Sequence, residues 1–338
     1  MLALQIVQPG ESQVIEQPTP EPGPGEVLLR INRVGFCGTD LSTFRGVNPL
    51  VSYPRIPGHE IAGEIIELGA GVTDWSVGEE VLVFPYNACG ACSACIAGRP
   101  NCCRFNQTLG VQRDGAMAQF FATPASKLLR AEGLSSEERA LVEPLTVGFH
   151  AVARAGVSSA DTVAVFGSGM IGLGIVAAAA ARGARVIAVD IDDGKLDSAR
   201  RAGASETINS HRDSLGERLR DLTGGHGPSV AVEAVGRPET FVAAVEQVCF
   251  AGRVVFVGYS KPPVEFDSKL FVLKELDIRG SRNALRSDFA AVIEFLRAGR
   301  FPSEEVVSHR VPLKAAGDTL RSWDQAPHGF SKIQVEFP

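Results

Sequence analysis

The chain has 338 residues, with 33 Lys+Arg against 39 Asp+Glu for a formal net charge of −6, and is 45% apolar and 21% charged. That length suits two domains of about 150 residues each, and the apolar share excludes a disordered chain. The mild acidic excess, with no long Lys/Arg run, argues against nucleic acid as a partner.

The N-terminal stretch lacks the basic head and apolar core of a signal peptide, and its spacing suits a strand. The longest apolar run, residues 170–181, is too short to span a bilayer. These features predict a soluble, cytoplasmic chain with no membrane partner. Residues 26–33, 61–68 and 80–84 are rich in Val, Ile and Leu between Pro/Gly turns and read as strands. From Ala160 onward the pattern changes. Residues 163–166, 185–189, 230–234 and 253–257 read as short apolar strands alternating with helical stretches at 172–182 and 193–202. That alternation predicts βαβ units, a parallel sheet and an α/β fold class. After residue 281 come one helix at 288–298 and a closing strand at 332–337, too short to form a domain and expected to pack back onto the first.

Five of the seven cysteines fall between residues 89 and 103, the others being Cys37 and Cys249. In a chain that keeps its thiols reduced, clustering points to metal ligation rather than disulfides. Cys89, Cys92 and Cys95 stand at three-residue intervals and can wrap one ion, with Cys103 closing a tetrahedron as a structural zinc site. Cys102 adjoins Cys103 and competes for the fourth place, while Arg99 and Arg104 offset the thiolate charge. Cys37, His59 and Glu60 offer a thiolate, an imidazole and a carboxylate. Such a set leaves a fourth position for water or substrate, as a catalytic zinc needs. Adjacent residues on a strand point to opposite faces, so His59 and Glu60 ligate together only with a local bend. Glu143 is the alternative third ligand. Asp40 is a candidate to hold the His59 ring in one tautomer or, alternatively, to stabilise its own turn.

Gly167-Ser168-Gly169-Met170-Ile171-Gly172 follows one predicted strand, opens an Ala-rich helix, and precedes a strand ending in Asp190. In that context it is a dinucleotide fingerprint. The glycines allow the turn and the approach of the pyrophosphate, and Asp190 accepts from the adenosine ribose. His150, His211, His226, His309 and His328 lack metal-like spacing and read as surface or packing residues, with His150 also placed to line a cleft.

With these pieces together, the chain resembles the zinc-dependent medium-chain dehydrogenase/reductase family over essentially its whole length. The motifs are Gly35-Phe36-Cys37-Gly38-Thr39-Asp40, Gly58-His59-Glu60, the four-cysteine lobe, Glu143-Pro144-Leu145-Thr146-Val147-Gly148, and residues 167–172 with Asp190. Glu143, where alcohol dehydrogenases of the family carry cysteine, points to the polyol branch that includes sorbitol and threonine dehydrogenases. Ser52-Tyr53-Pro54-Arg55, Gly98-Arg99-Pro100-Asn101-Cys102-Cys103 and Gly280-Ser281-Arg282-Asn283-Ala284 are similar to bacterial L-galactonate and L-gulonate 5-dehydrogenases.

The resemblance implies a GroES-like β-rich catalytic domain at residues 1–147 with a structural zinc lobe at 86–108. A Rossmann NAD-binding domain follows at 148–282, and residues 283–338 return to the catalytic domain. It implies two Zn2+ per chain, NAD, a sugar acid or polyol substrate, and a homodimer or homotetramer. By matching position, Cys37, His59 and Glu60 or Glu143 carry the catalytic zinc, and Thr39 lies beside the substrate hydroxyl. Many relatives carry a histidine where this chain has Ser42, so the end of the proton relay differs here. A sugar-acid substrate calls for a fixed guanidinium to meet its carboxylate, and Arg113 and Arg282 are the candidates; Arg282 serves alternatively as a cofactor contact. Competing readings are a threonine-type amino-alcohol dehydrogenase and a catalytically silent binding protein.

Overall fold

Two sheets organise the chain, which the computed structural model describes over residues 1–326 and 329–338; His328 lies outside them. Contacts divide it into two units, Met1–Glu143 with Ser303–Pro338, and Pro144–Pro302.

In the first unit the long strand Glu26–Phe36 pairs antiparallel with Glu60–Leu68, with Phe120–Pro124 and with the closing strand Lys332–Glu336. Val307–Pro312 extends the sheet on one side, and Glu80–Val83 and Leu128–Arg130 extend it on the other. A hairpin of Leu2–Gln8 and Glu11–Glu16 adds Leu4 and Ile6 to the core, which also buries Leu29, Ile31, Phe36, Phe44, Ile61, Ile65 and Met117. The closing strand pairs Ile333 with Phe36 and Val335 with Val34, so both chain ends share one hydrophobic interior.

The second unit holds a six-stranded, all-parallel sheet. Its order is Glu206–Asn209, Arg185–Asp190, Thr162–Phe166, Val230–Glu233, Arg253–Phe256, Asp277–Gly280. Four of its six strands fall where the apolar runs predicted them; Glu206–Asn209 and Asp277–Gly280 lie outside those runs. The order reverses between Thr162–Phe166 and Val230–Glu233, and right-handed crossovers then put the two sets of helices on opposite faces. Helix Met170–Ala181 is apolar almost all round because it is buried on most sides.

The tail differs from the expected return to the first domain at residue 283. Helix Arg286–Arg297 belongs to the second unit, and the chain re-enters the first only at Ser303. The cause is its apolar stripe of Phe289, Val292, Ile293 and Leu296, which is buried there. Phe149 meets Phe295 edge-on, with ring centroids 5.3 Å apart, and His150 Nδ1 lies 2.8 Å from Asp288 Oδ2. His150 is therefore a packing residue. The other boundary falls at Pro144, inside helix Ser136–Ala155, rather than after residue 147. Gly148 of this helix packs directly on helix Met170–Ala181, since a Cβ there would lie 2.5 Å from the Gly174 carbonyl carbon.

Candidate active site

The cysteine lobe grows from a two-stranded base, Tyr86–Asn87 against Gln107–Thr108. Cys92 caps the short helix Ser93–Ile96, and the 3-10 turn Pro100–Cys102 brings the chain back. The sulfurs of Cys89, Cys92, Cys95 and Cys103 all lie within 4.8 Å of one another, with Cys92 Sγ 3.6 Å from Cys95 Sγ and 3.8 Å from Cys103 Sγ. Backbone N–H groups of Cys89 and Phe105 donate to Cys103 Sγ, each at 3.3 Å. Those of Arg104 and Cys95 lower the Cys92 thiol to about 6, whereas burial and the neighbouring sulfurs push Cys95 up to about 12. All four can ionise together only around a cation, so the donor set fits a closed zinc site. Cys102 is outside the cluster, its sulfur 3.6 Å from Arg99 Nη2, and Arg104 lies over the Phe105 ring.

A second cluster forms where two segments of the first unit meet. Cys37 follows strand Glu26–Phe36 and caps helix Gly38–Phe44, while His59 immediately precedes strand Glu60–Leu68. Because His59 is not in the strand, the alternation that would separate it from Glu60 does not apply. Gly58, at φ +101°, supplies the bend, and a Cβ there would meet Val34 Cγ1 at 2.7 Å. Ligand atoms of Cys37, His59 and Glu60 lie within 4.8 Å of one another. The donor set fits zinc with one position left open.

Two side chains that sequence reasoning missed hold the carboxylates. Lys332, in the closing strand, places Nζ 2.5 Å from each Glu60 oxygen and donates to the Phe36 carbonyl at 3.0 Å. Glu60 lies over Gly35, where a Cβ would sit 1.7 Å from Oε2. Burial raises Glu60 to about 7 despite the Lys332 charge. Tyr86 donates its hydroxyl to Glu143, and burial and that carboxylate raise the phenol well above its usual range. Glu143 is outside the three-residue cluster but raises His59 and Glu60 electrostatically. Burial lowers the His59 imidazole, and Cys37, Asp40 and Glu143 together outweigh it and raise the group well above the usual imidazole range.

Asp40 does not bond the His59 ring: Asp40 Oδ1 and His59 Nδ1 are both buried without hydrogen-bond partners. Its Oδ2 instead accepts from the Cys37 N–H at 2.8 Å in a capping box. Asp40 therefore fixes the start of helix Gly38–Phe44 at Cys37. Burial is the main cause of its raised pKa. Thr39 is half-buried with Oγ1 3.7 Å from Cys37 Sγ, and Ser42 stands three residues on in the same helix.

In the second unit the three fingerprint glycines have three different jobs. Gly167 turns at φ +95°, and a Cβ on Gly172 would lie 1.8 Å from the Gly167 carbonyl oxygen. Nothing approaches within 4 Å of a Cβ on Gly169, where a pyrophosphate needs room to approach the protein backbone. Gly169 caps helix Met170–Ala181 with no side-chain hydrogen bond, leaving the amides of its first turn, at Met170 and Ile171, suited to phosphate. Asp190 is held by three amides: Oδ2 accepts from Ser168 N at 2.7 Å, and Oδ1 from Ile191 N at 2.8 Å and Asp192 N at 3.1 Å. Arg282 is half-buried just after strand Asp277–Gly280, at the far edge of the sheet from that loop. Arg113 is exposed in the first unit, whereas Arg55 is fixed by Asp114 at 2.9 Å and Ser52 at 3.0 Å.

A parallel dinucleotide sheet, a β-rich unit and two zinc-type donor clusters define a zinc-dependent, nicotinamide-using oxidoreductase. Residues 23–133 match the alcohol dehydrogenase GroES-like domain, and residues 171–298 match the zinc-binding dehydrogenase family. The chain belongs to the zinc-type medium-chain alcohol dehydrogenases. It is 35% identical to L-galactonate-5-dehydrogenase of Escherichia coli K12 over 319 residues, covering 94% of each chain. It is 33% identical to sorbitol dehydrogenase of Bacillus subtilis over 332 residues, covering 96% of this chain and 94% of that one. The NADH-complexed alcohol dehydrogenase RspB of Escherichia coli CFT073 matches with a TM-score of 0.92 at 31% identity, covering 100% of this chain and 99% of that one. Among the described residues no helix is long and apolar enough to cross a membrane.

Proposed function

We propose that this enzyme oxidises a secondary hydroxyl of a sugar acid to the ketone with NAD, its preferred substrate being of the L-galactonate or L-gulonate type. The observation that carries the chemistry is the cluster of one thiol, one imidazole and one buried carboxylate within 4.8 Å. Zinc held there would lower the pKa of a substrate hydroxyl, and NAD bound at the glycine loop would supply the hydride acceptor. Cys37, His59 and either Glu60 or Glu143 hold the metal, and Glu60 does so only by giving up part of its contact with Lys332. Thr39 takes the substrate proton at Oγ1 and hands it to the cofactor ribose or to Ser42, one turn along helix Gly38–Phe44.

The similarity to enzymes named for L-galactonate and sorbitol supports a polyhydroxylated substrate. NADH production measured across aldonates, alditols and amino alcohols tests it. Aldonates should exceed matching alditols by about tenfold in kcat/KM, and replacing Arg113 or Arg282 by Ala should erase that gap if that arginine meets the carboxylate. Preference for an uncharged alditol rejects the sugar acid, and preference for an amino alcohol favours the threonine-type alternative.

Asp190 is assigned to the adenosine ribose. Its carboxylate is fixed by three amides, so a 2′-phosphate would meet a charge that cannot swing away. Wild-type kcat/KM should favour NAD over NADP, and Asp190→Ala should narrow the ratio while weakening NADH by about tenfold. Equal wild-type values for the two cofactors would show that Asp190 does not discriminate. The cytoplasm is the proposed compartment, supported by seven cysteines that are all free of disulfides. The homodimer or homotetramer implied by the family resemblance is supported by the open outer edge of strand Asp277–Gly280.

A further inference from the structure

We propose that Glu233 is a positioning residue that sets one wall of the dinucleotide crevice. It ends strand Val230–Glu233, whose neighbour Thr162–Phe166 leads into the glycine loop, with Phe166 directly opposite Glu233. These two strands flank the point where the sheet order reverses, which is where open parallel sheets bind their ligands. Glu233 is 0% exposed, although it carries a carboxylate at the end of a strand.

Its two oxygens are used very unequally. Oε1 accepts from Val235 N at 2.8 Å, Gly236 N at 2.8 Å and Thr240 Oγ1 at 2.7 Å. Oε2 is buried with no hydrogen-bond partner. A carboxylate oxygen left that way is costly, so packing must hold the group in this orientation. Gly258 does so: a Cβ there would lie 2.5 Å from Oε2 and 2.5 Å from Gly236 N. Gly236 needs glycine for the same reason, with φ +85° and a Cβ position 2.8 Å from the Tyr259 carbonyl oxygen.

The turn organised by Oε1 touches the fingerprint itself. A Cβ on Gly167 would lie 2.7 Å from Val235 Cγ2 and 3.3 Å from the Ala234 carbonyl carbon. Ala234 N also donates to the Phe166 carbonyl at 2.9 Å. A shift of residues 234–236 therefore moves the wall against which the first glycine turns. Thr240 sits in the first turn of helix Pro238–Gln247, so the same oxygen fixes the start of that helix. Glu233 acts on the dinucleotide through this turn rather than by touching the reacting atoms.

Fluorescence titration with NADH tests the assignment independently of the alcohol substrate. Glu233→Gln keeps a carbonyl that can accept the same three bonds, so its Kd should stay within about twofold of wild type. Glu233→Asp withdraws the acceptor by one methylene and should raise the Kd for NADH, and the KM for NAD, by about tenfold, with kcat changed less than threefold. Should Glu233→Asp fail to fold, Thr240→Val removes a single donor and should raise the Kd by about threefold. Unchanged NADH binding in Glu233→Asp, or in Thr240→Val where Asp does not fold, overturns the proposal. So does equal weakening in Gln and Asp, which would make the charge, and not the turn, responsible.

Discussion

Lys332→Met is expected to destabilise the enzyme by about 3–5 kcal/mol, because it strands a buried carboxylate without its partner. Glu60 is 0% exposed and Lys332 3%, and the ammonium bridges both carboxylate oxygens while satisfying the Phe36 carbonyl. The partners are 272 residues apart in sequence, so the pair also fastens the closing strand to the strand that carries Glu60. Methionine fills similar volume but supplies no donor. Glu60→Gln in the same background removes the stranded charge, and the double variant should recover more than half the loss in a urea titration. The two losses simply adding would show that the contact is not energetically coupled. Activity should fall in Lys332→Met even where the protein is folded, since Glu60 then no longer has a fixed position beside Cys37 and His59.

The parts of the fold that were legible in the sequence are those with local signals. The parallel sheet showed itself in short apolar strands, the dinucleotide loop in glycines set between a strand and a helix, and the cysteine lobe in its spacing. Each depends on residues close together in the chain. What was not legible depends on partners far away. The apolar face of helix Arg286–Arg297 signals that it is buried but not against what, and its contacts Phe149 and His150 lie well over a hundred residues earlier. Lys332 alternates with apolar residues in a strand and reads as the exposed face, until Glu60 is found opposite it. Asp40 was judged by its nearness to a histidine, whereas the capping box made by Cys37 and Asp40 at consecutive ends of one helical turn was the stronger local pattern. His59 and Glu60 were expected to ligate together only with a local bend, and Gly58 supplies one immediately before them.

Cys103→Ser is expected to release about one zinc per chain and to cost much of the stability of the first unit, while Cys102→Ser should do neither, because metal affinity at a closed site is folding energy. The two cysteines are neighbours, yet the 3-10 turn Pro100–Cys102 sends their side chains to different environments. Cys103 is buried, accepts two backbone N–H groups and joins the four-sulfur cluster; Cys102 stands outside it against Arg99. Serine at 103 keeps the size of the side chain but loses the thiolate, leaving three sulfurs and an opened position that water can enter. The lobe has little else to hold it. Its base is a pair of two-residue strands, its helix has four residues, and Ile96 and Phe105 are exposed at 78% and 61%. Without the metal those segments have no core to collapse onto, so zinc loss and thermal unfolding should move together in Cys103→Ser. Metal analysis of both variants beside a thermal melt decides the matter: equal zinc loss at 102 and 103 would mean that either sulfur can close the tetrahedron, and a zinc-depleted Cys103→Ser that melts like wild type would mean that the lobe folds without its metal.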